Sequence, residues 1–406
     1  MSMETSRSGF APLPAHSLPF TPTVPNELWR LVFRFATTSP ESSRLYDVDF
    51  APFRESWLDS QSLDNTLGVK KAIISVCRTW RELGLQFFWE HATTSMVARL
   101  IDCSLDNKCR ALGRYVRRLE LPSRQLQRNT KGQGVRLEDI LRWCPRVEIL
   151  VQPKWSGGDK VGVQDFWGDP NTWPSTPLSL VESFKTLKRI DWCTLGNEGQ
   201  YPAHRALLAQ LLSASPNLRY LSLRYGLDPF PGPSFITLPS LATLHLQGEI
   251  GLHGLCLPNL EHLIVNHIQV ASEHCVFSRI GPKLKVLQLS GYGDGHQFDV
   301  FRLSPDLAEF CCGVNRETVF VMGCLHPRLH TVRLNCSTYP DGPAVEGFRK
   351  KSVMLYDKVT FPNLERVVLH GEAWTAFAEH PEFRLFRLRI LDRGCGLVHD
   401  DGQAVM

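Results

Sequence analysis

From residue 116 onward one short phrase keeps returning: an apolar residue, two variable positions, an apolar residue, one variable position, an apolar residue. Its clearest copies are Leu218/Leu221/Leu223, Leu241/Leu244/Leu246, Leu260/Leu263/Val265, Leu284/Leu287/Leu289, Leu329/Val332/Leu334 and Leu364/Val367/Leu369. Weaker copies sit at Val116/Leu119/Leu121, Val147/Leu150, Leu187/Ile190/Trp192 and Leu307/Phe310/Cys312. Those starting at 218, 241, 260, 284, 307 and 329 are separated by 23, 19, 24, 23 and 22 residues. Successive side chains of a strand point to opposite faces, so each phrase predicts a short strand with its leucines turned inward. A single such unit cannot bury its apolar face, whereas stacked neighbours build a continuous core. Pro216, Pro239, Pro258, Pro282, Pro327 and Pro362 stand two residues before the first leucine, where a missing ladder donor costs nothing.

A period of about 20–29 residues with this phrase resembles a leucine-rich repeat. The expected fold is α/β, a solenoid over 116–395 with a connector at 94–115 and a tail at 396–406. The asparagine usual three positions after the last leucine is replaced by Gly226, Glu249, Ile268 and Tyr292. The longer intervals 147–187 and 329–364 predict projecting loops, the first carrying Trp155, Trp167 and Trp173. The variable positions between the leucines should face the concave side. They run from Arg189 and Asp191 through Ser222, Thr243, Gln247, Ile264, Val286, Gln288, Ser290 and Thr331 to Val368 and His370. Tyr220, Arg224, His245, His262, Asn266, Arg333, Asn335 and Arg366 are the expected contacts to a target. Ten strands at about 4.8 Å make an arc of roughly 45 Å, polar and nearly free of acids, which suits a protein better than a metabolite.

The N-terminal part reads differently. Residues 1–23 lack periodicity and predict a disordered leader. From Val24 to Ala36, Leu28, Leu31, Val32 and Phe35 follow helical spacing behind Pro25 and Glu27, and predict a core-facing stripe. Trp29 and Phe33 form a second apolar pair beside it, expected to remain open to a partner. A second helix is expected from Val69 to about Trp89, with Gly84 as a possible kink, and 39–68 as an inserted loop anchored by Phe50, Phe53 and Trp57.

Val24-Pro25-Asn26-Glu27-Leu28 with Val32-Phe33, then Val76-Cys77-Arg78-Thr79-Trp80-Arg81-Glu82-Leu83 and Phe88-Trp89, resembles an F-box. Its insertion resembles expanded F-box-like domains of mushroom-forming fungi. The resemblance implies a small all-α module over 24–93 with the insertion 39–68, placed before the repeats. It also implies a non-catalytic substrate receptor of an SCF-type ubiquitin ligase, which binds a Skp-family adaptor linked to a cullin and holds a target protein on its repeats. Carried over by position, Pro25, Leu28, Leu31, Val32, Phe33, Val76, Cys77, Trp80 and Leu83 would bind the adaptor, joined by Trp29 from the open pair. The alternative is a repeat scaffold whose F-box-like segment only caps the solenoid.

Composition and motifs narrow the function further. A net charge of +4, from 45 basic and 41 acidic residues, is too mild to argue for nucleic acid. A local excess at 108–146, including Arg117 and Arg118, is expected to be a solvated face. No apolar run approaches the roughly 20 residues of a membrane helix, and no secretion signal is read, so a cytoplasmic or nuclear protein with reduced cysteines is expected, monomeric outside its complex. No enzyme signature, cofactor motif or metal set emerges. Gly291-Tyr292-Gly293-Asp294-Gly295 lacks the Lys-Ser/Thr of a phosphate loop. His326 and His330 straddle Pro327, and of the adjacent Cys311 and Cys312 one should face the core.

Overall fold

The computed structural model describes residues 24–38, 46–53, 59–93, 96–97, 111–120, 137–151, 184–193, 202–224, 235–247, 252, 254–267, 277–290, 300–314, 325–336, 342–371 and 373–405. The expected leader, Trp57, the stretch with Trp155, Trp167 and Trp173, and the run 291–295 lie outside them.

The fold is mixed α/β, built on one sheet of twelve parallel strands. These are β1 (His91–Thr93), β2 (Arg118–Glu120), β3 (Ile149–Val151), β4 (Arg189–Cys193) and β5 (Tyr220–Arg224). The short β6 (Ile236–Thr237) intervenes before β7 (Thr243–Gln247), and β8 (Leu255–Cys256), which pairs with β6, before β9 (His262–His267). Then come β10 (Val286–Leu289), β11 (Glu309–Gly313), β12 (Thr331–Asn335), β13 (Arg366–His370) and β14 (Gly396–His399).

The register explains why the repeated phrase folds. Leu150, Ile190, Leu221, Leu244, Leu263, Leu287, Phe310, Val332 and Val367 are Cα partners in sequence from strand to strand, so they form one unbroken row. All belong to a single buried core. Burying a large aliphatic side chain contributes about 1.5–3 kcal/mol, and each row adds one per strand. β1 and β14 extend the sheet by one strand at each end, beyond the stretch 116–395 that the phrases mark. Helices pack on the leucine side: Pro202–Ser213 contributes Leu208, Leu211 and Leu212 to the core, and Gly342–Tyr356 contributes Phe348, whose ring lies 5.0 Å from that of Phe386.

A second lateral link replaces the missing asparagine after the leucines. The side-chain amides of Asn217, Asn259 and Asn363, each between the proline and the first leucine of its phrase, donate to the carbonyls of Lys185, Pro239 and Pro327 at 2.8, 2.7 and 2.8 Å. Each bond ties a unit to its predecessor. Beyond β14 the chain turns at Gly402 (φ 85°) and folds back. The N–H of Val405 donates to Leu397 at 3.0 Å, and that of His399 to Gln403 at 2.8 Å.

Before the sheet stand α1 (Asn26–Thr37), α2 (Asp59–Val76) and α3 (Arg78–Trp89). The helix expected over 69–89 is two helices. Cys77 is extended (φ −156°), and its Sγ accepts the Trp80 N–H at 3.4 Å, capping α3. α2 begins at Asp59, inside the stretch expected to be loop. Gly84 does not kink α3: a Cβ there would lie 2.8 Å from Ile73 Cγ2, so the glycine lets α2 and α3 approach closely.

Candidate functional site

Both apolar faces of α1 compete for one small core, and the aromatic one occupies it. Phe33 is 1% exposed and clusters with Ile73, Leu83 and Phe87, with Trp29 and Trp80 packed against them. The Phe33 ring sits 4.9 Å from Trp80 and 6.4 Å from Phe87, edge-on in both cases. This corrects the expectation that Trp29 and Phe33 stay open. The stripe expected to face inward is outside instead, with Leu28 at 49%, Leu31 at 55%, Val32 at 50% and Phe35 at 81% exposure. The aromatic pair offers more area to bury, and Trp80 and Phe87 supply matching rings. Of the remaining adaptor candidates, Pro25, Val76 and Cys77 are exposed and Leu83 is core.

The face of the sheet opposite the leucines is not the open polar surface expected. Tyr220, His245 and Thr243 are each 1% exposed, and Arg189 and Ile264 are fully buried. Ser222 Oγ lies 3.1 Å from His245 Nδ1, and the Arg189 guanidinium covers the Tyr220 ring at 4.9 Å. Acids are present, each beside an arginine: Asp191 with Arg189 at 2.8 Å, Glu120 with Arg118 at 3.2 Å and with the His91 imidazole at 3.2 Å, Glu309 with Arg333 at 2.6 Å. Burial alone would raise the Glu120 carboxyl, but the hydrogen bond and charge of His91 and the charge of Arg118 overcome it and hold the group at about 2. Arg118, expected in solvent, is fully buried. Among the other target candidates, Arg366 is exposed and donates to Thr331 Oγ1 at 3.2 Å, while His262, Asn266 and Asn335 are half-buried. The side chain of Arg224 lies outside the described residues.

Residues 46–53, part of the expected inserted loop, lie across this face. The Arg117 guanidinium covers the Tyr46 ring at 5.5 Å, and Arg189 Nη1 donates to the Asp47 carbonyl at 3.0 Å. Asp49 pairs with Arg219 at 2.8 Å. The Phe50 ring sits 5.1 Å from His262, and the Phe53 ring 5.0 Å from His370. The Phe53 N–H donates to Gln288 Oε1 at 2.6 Å. The segment thus advances from the β2 end of the sheet to β13, in chain order. Phe50 and Phe53 are anchors as expected, but their partners were not legible. Sequence reading missed this cover, although Tyr46-Asp47-Val48-Asp49-Phe50 carries a period-two signal that marks an extended segment.

A cleft of about 800 Å³ lies where α1, α3, Val48 and the first repeats meet. Arg117 bridges Glu90 and Glu148 there at 3.1 and 3.0 Å, Arg34 joins Glu90 at 3.2 Å, and Lys188 joins Glu148 at 3.2 Å. These pairs tie the helices to the sheet. Burial pushes the thiol of Cys144 up to about 12 and that of Cys312 to about 11, and raises Cys311 well above its ordinary value, so none is a thiolate at neutral pH. Cys312 belongs to the leucine-side core, and Cys311 is buried on the other face. His326 bonds the Ser304 carbonyl at 2.8 Å and His330 the Thr331 hydroxyl at 3.0 Å. Among the described residues no helix is long and apolar enough to cross a membrane.

No known family and no curated protein matches the sequence. Among solved structures the chain is similar to a structural-genomics protein from Bacteroides fragilis, at 12% identity and a TM-score of 0.34 over 87% of this chain and 85% of that one. It is also similar to the TLR13 chain of a TLR13–ssRNA13 complex, at 12% identity and a TM-score of 0.27 over 70% of this chain and 42% of that one. Neither likeness is close enough to fix a family.

Proposed function

We propose that this chain is a non-catalytic substrate receptor of an SCF-type ubiquitin ligase, with α1–α3 as an F-box-like module docking on a Skp-family adaptor and a leucine-rich-repeat solenoid holding a target protein. The observation that carries the reading is the exposed stripe of Leu28, Leu31, Val32 and Phe35 on a helix whose opposite face is already packed. Four large apolar side chains at i, i+3, i+4 and i+7 form one contiguous patch, of the kind that marks a protein-binding surface. A mere cap for the solenoid would turn this patch against the repeats, so its exposure favours docking over the cap reading. The cullin would be reached through the adaptor, and ubiquitin transfer would be carried out by partner subunits.

The test is the affinity of the full chain for purified Skp adaptor. A Leu28→Ser, Val32→Ser, Phe35→Ser variant is expected to keep its melting temperature and to lose adaptor affinity by more than about tenfold, the scale of an interface hot spot. An unaltered chain without affinity for any Skp adaptor, or a variant that binds as well as the parent, refutes the reading.

A further inference from the structure

The polar face of the sheet is already covered in part by the chain itself. Along 46–50, Tyr46, Val48 and Phe50 are half-buried while Asp47 and Asp49 are exposed, the alternation of an extended strand. The groove meets this segment with side chains from distant repeats: Arg189, His262, Gln288 and His370. We infer that this face is a groove for an extended peptide in which aromatic or aliphatic residues alternate with aspartates, and that residues 46–53 hold it as an internal ligand which such a peptide displaces. This deepens the target-binding half of the function proposed above and does not depend on the adaptor half.

Three observations make the segment a replaceable occupant rather than a fixed part of the fold. None of residues 46–53 belongs to either buried apolar core, so lifting them leaves the leucine rows intact. The fit is also incomplete. Asp191 Oδ1, Gln247 Oε1 and Asn266 Oδ1, on β4, β7 and β9, are buried acceptors with no hydrogen-bond donor among the described residues, and the buried Tyr46 hydroxyl is likewise unmatched. The segment therefore leaves polar groups of this face unmet, which weakens its hold. Finally, Phe53 has φ 56°, a left-handed conformation that a bulky residue adopts only when its surroundings hold it there. The hydrogen bond from its N–H to Gln288 Oε1 and its ring contact with His370 supply that hold. A ligand that takes over those contacts releases the strain.

The test uses the full chain and a labelled synthetic peptide with the sequence of residues 44–54. Emptying the groove with Phe50→Ser and Phe53→Ser should raise peptide affinity about tenfold or more over the unaltered chain, because a tethered competitor acts at an effective concentration near millimolar. A peptide of the same composition in scrambled order should not bind, and adding Gln288→Leu to the double variant should abolish the gain. Equal affinity of the unaltered chain and the variant overturns the inference, as does a folded variant that binds no peptide. A variant that loses its melting transition overturns it too, by making the segment a structural element. Adaptor affinity measured on the same samples separates the two proposals: peptide failure with adaptor binding intact refutes the groove alone, and the converse refutes the adaptor reading alone.

Discussion

On one face of the twelve-stranded sheet, Leu221, Leu244, Leu263 and Leu287 stack in a row that continues into every neighbouring repeat. On the other, Tyr220, Thr243 and His245 are buried just as completely, but among hydroxyls, imidazoles and ion pairs, with a crossing segment from the N-terminal part of the chain. The first face is buried by what is local, the fold of each unit against the next. The second is crossed by residues brought from far away in sequence, with Phe53 and Gln288 standing 235 positions apart. Equal burial therefore hides unequal commitment: the leucine face holds the fold, and the polar face is closed by contacts that can be exchanged.

The largest effect should come from the leucine side. Leu244→Asp or Leu287→Asp puts an unpaired carboxylate in the core at a cost of several kcal/mol, against a total stability of about 5–15 kcal/mol. The expected result is loss of the cooperative melt, and an undisturbed melt would reverse the assignment of the two faces. A middle-sized effect is expected from the ion pair beneath the crossing segment. Asp191→Asn removes one partner of a fully buried Arg189 and should cost about 3–5 kcal/mol in urea unfolding. The double substitution Arg189→Leu, Asp191→Leu should be milder, and a double variant as damaged as the single one would contradict the pairing argument.

The smallest effect should follow pH. Burial holds the pKa of His262 below its ordinary 6.5, against the opposing pull of Glu261, Glu309 and Asp49. His370 is lowered by burial and by Arg333, with Asp400 and Glu309 opposing. Both imidazoles touch the crossing segment, so the uncovered state takes up protons first as pH falls below about 6.5, and covering weakens in that direction. The protection factor of the Phe53 amide, its exchange rate set against the intrinsic rate at each pH, should fall between pH 7 and pH 5.5. Unchanged protection would show that the two rings do not sense the cover.

The leucine face was legible because its signal is local: a fixed spacing, repeated, with a physical reason for each position. The orientation of α1 was not, because its two faces are both apolar and only the presence of Trp80 and Phe87 opposite decides between them. Glu309 escaped notice as a groove residue because its phrase, Leu307/Phe310/Cys312, is one of the weak copies. The cover over the polar face could not be read at all, since alternation in Tyr46 to Phe50 announces an extended segment without naming the surface it meets. Cys77 lay within a helical pattern, and only its extended backbone and the Trp80 amide on its sulfur reveal the break.

The backfolding after β14 has a consequence for solubility. A parallel sheet that ends in an uncovered strand offers a row of free amides and carbonyls to any other chain, an invitation to aggregate edge to edge. Here Gln403 and Val405 already use the outward-facing amide of His399 and carbonyl of Leu397, and Ala404 makes an antiparallel bridge to Val398. The twelve-stranded ladder is closed at that border by its own chain, and further growth of the sheet there would first have to peel it away.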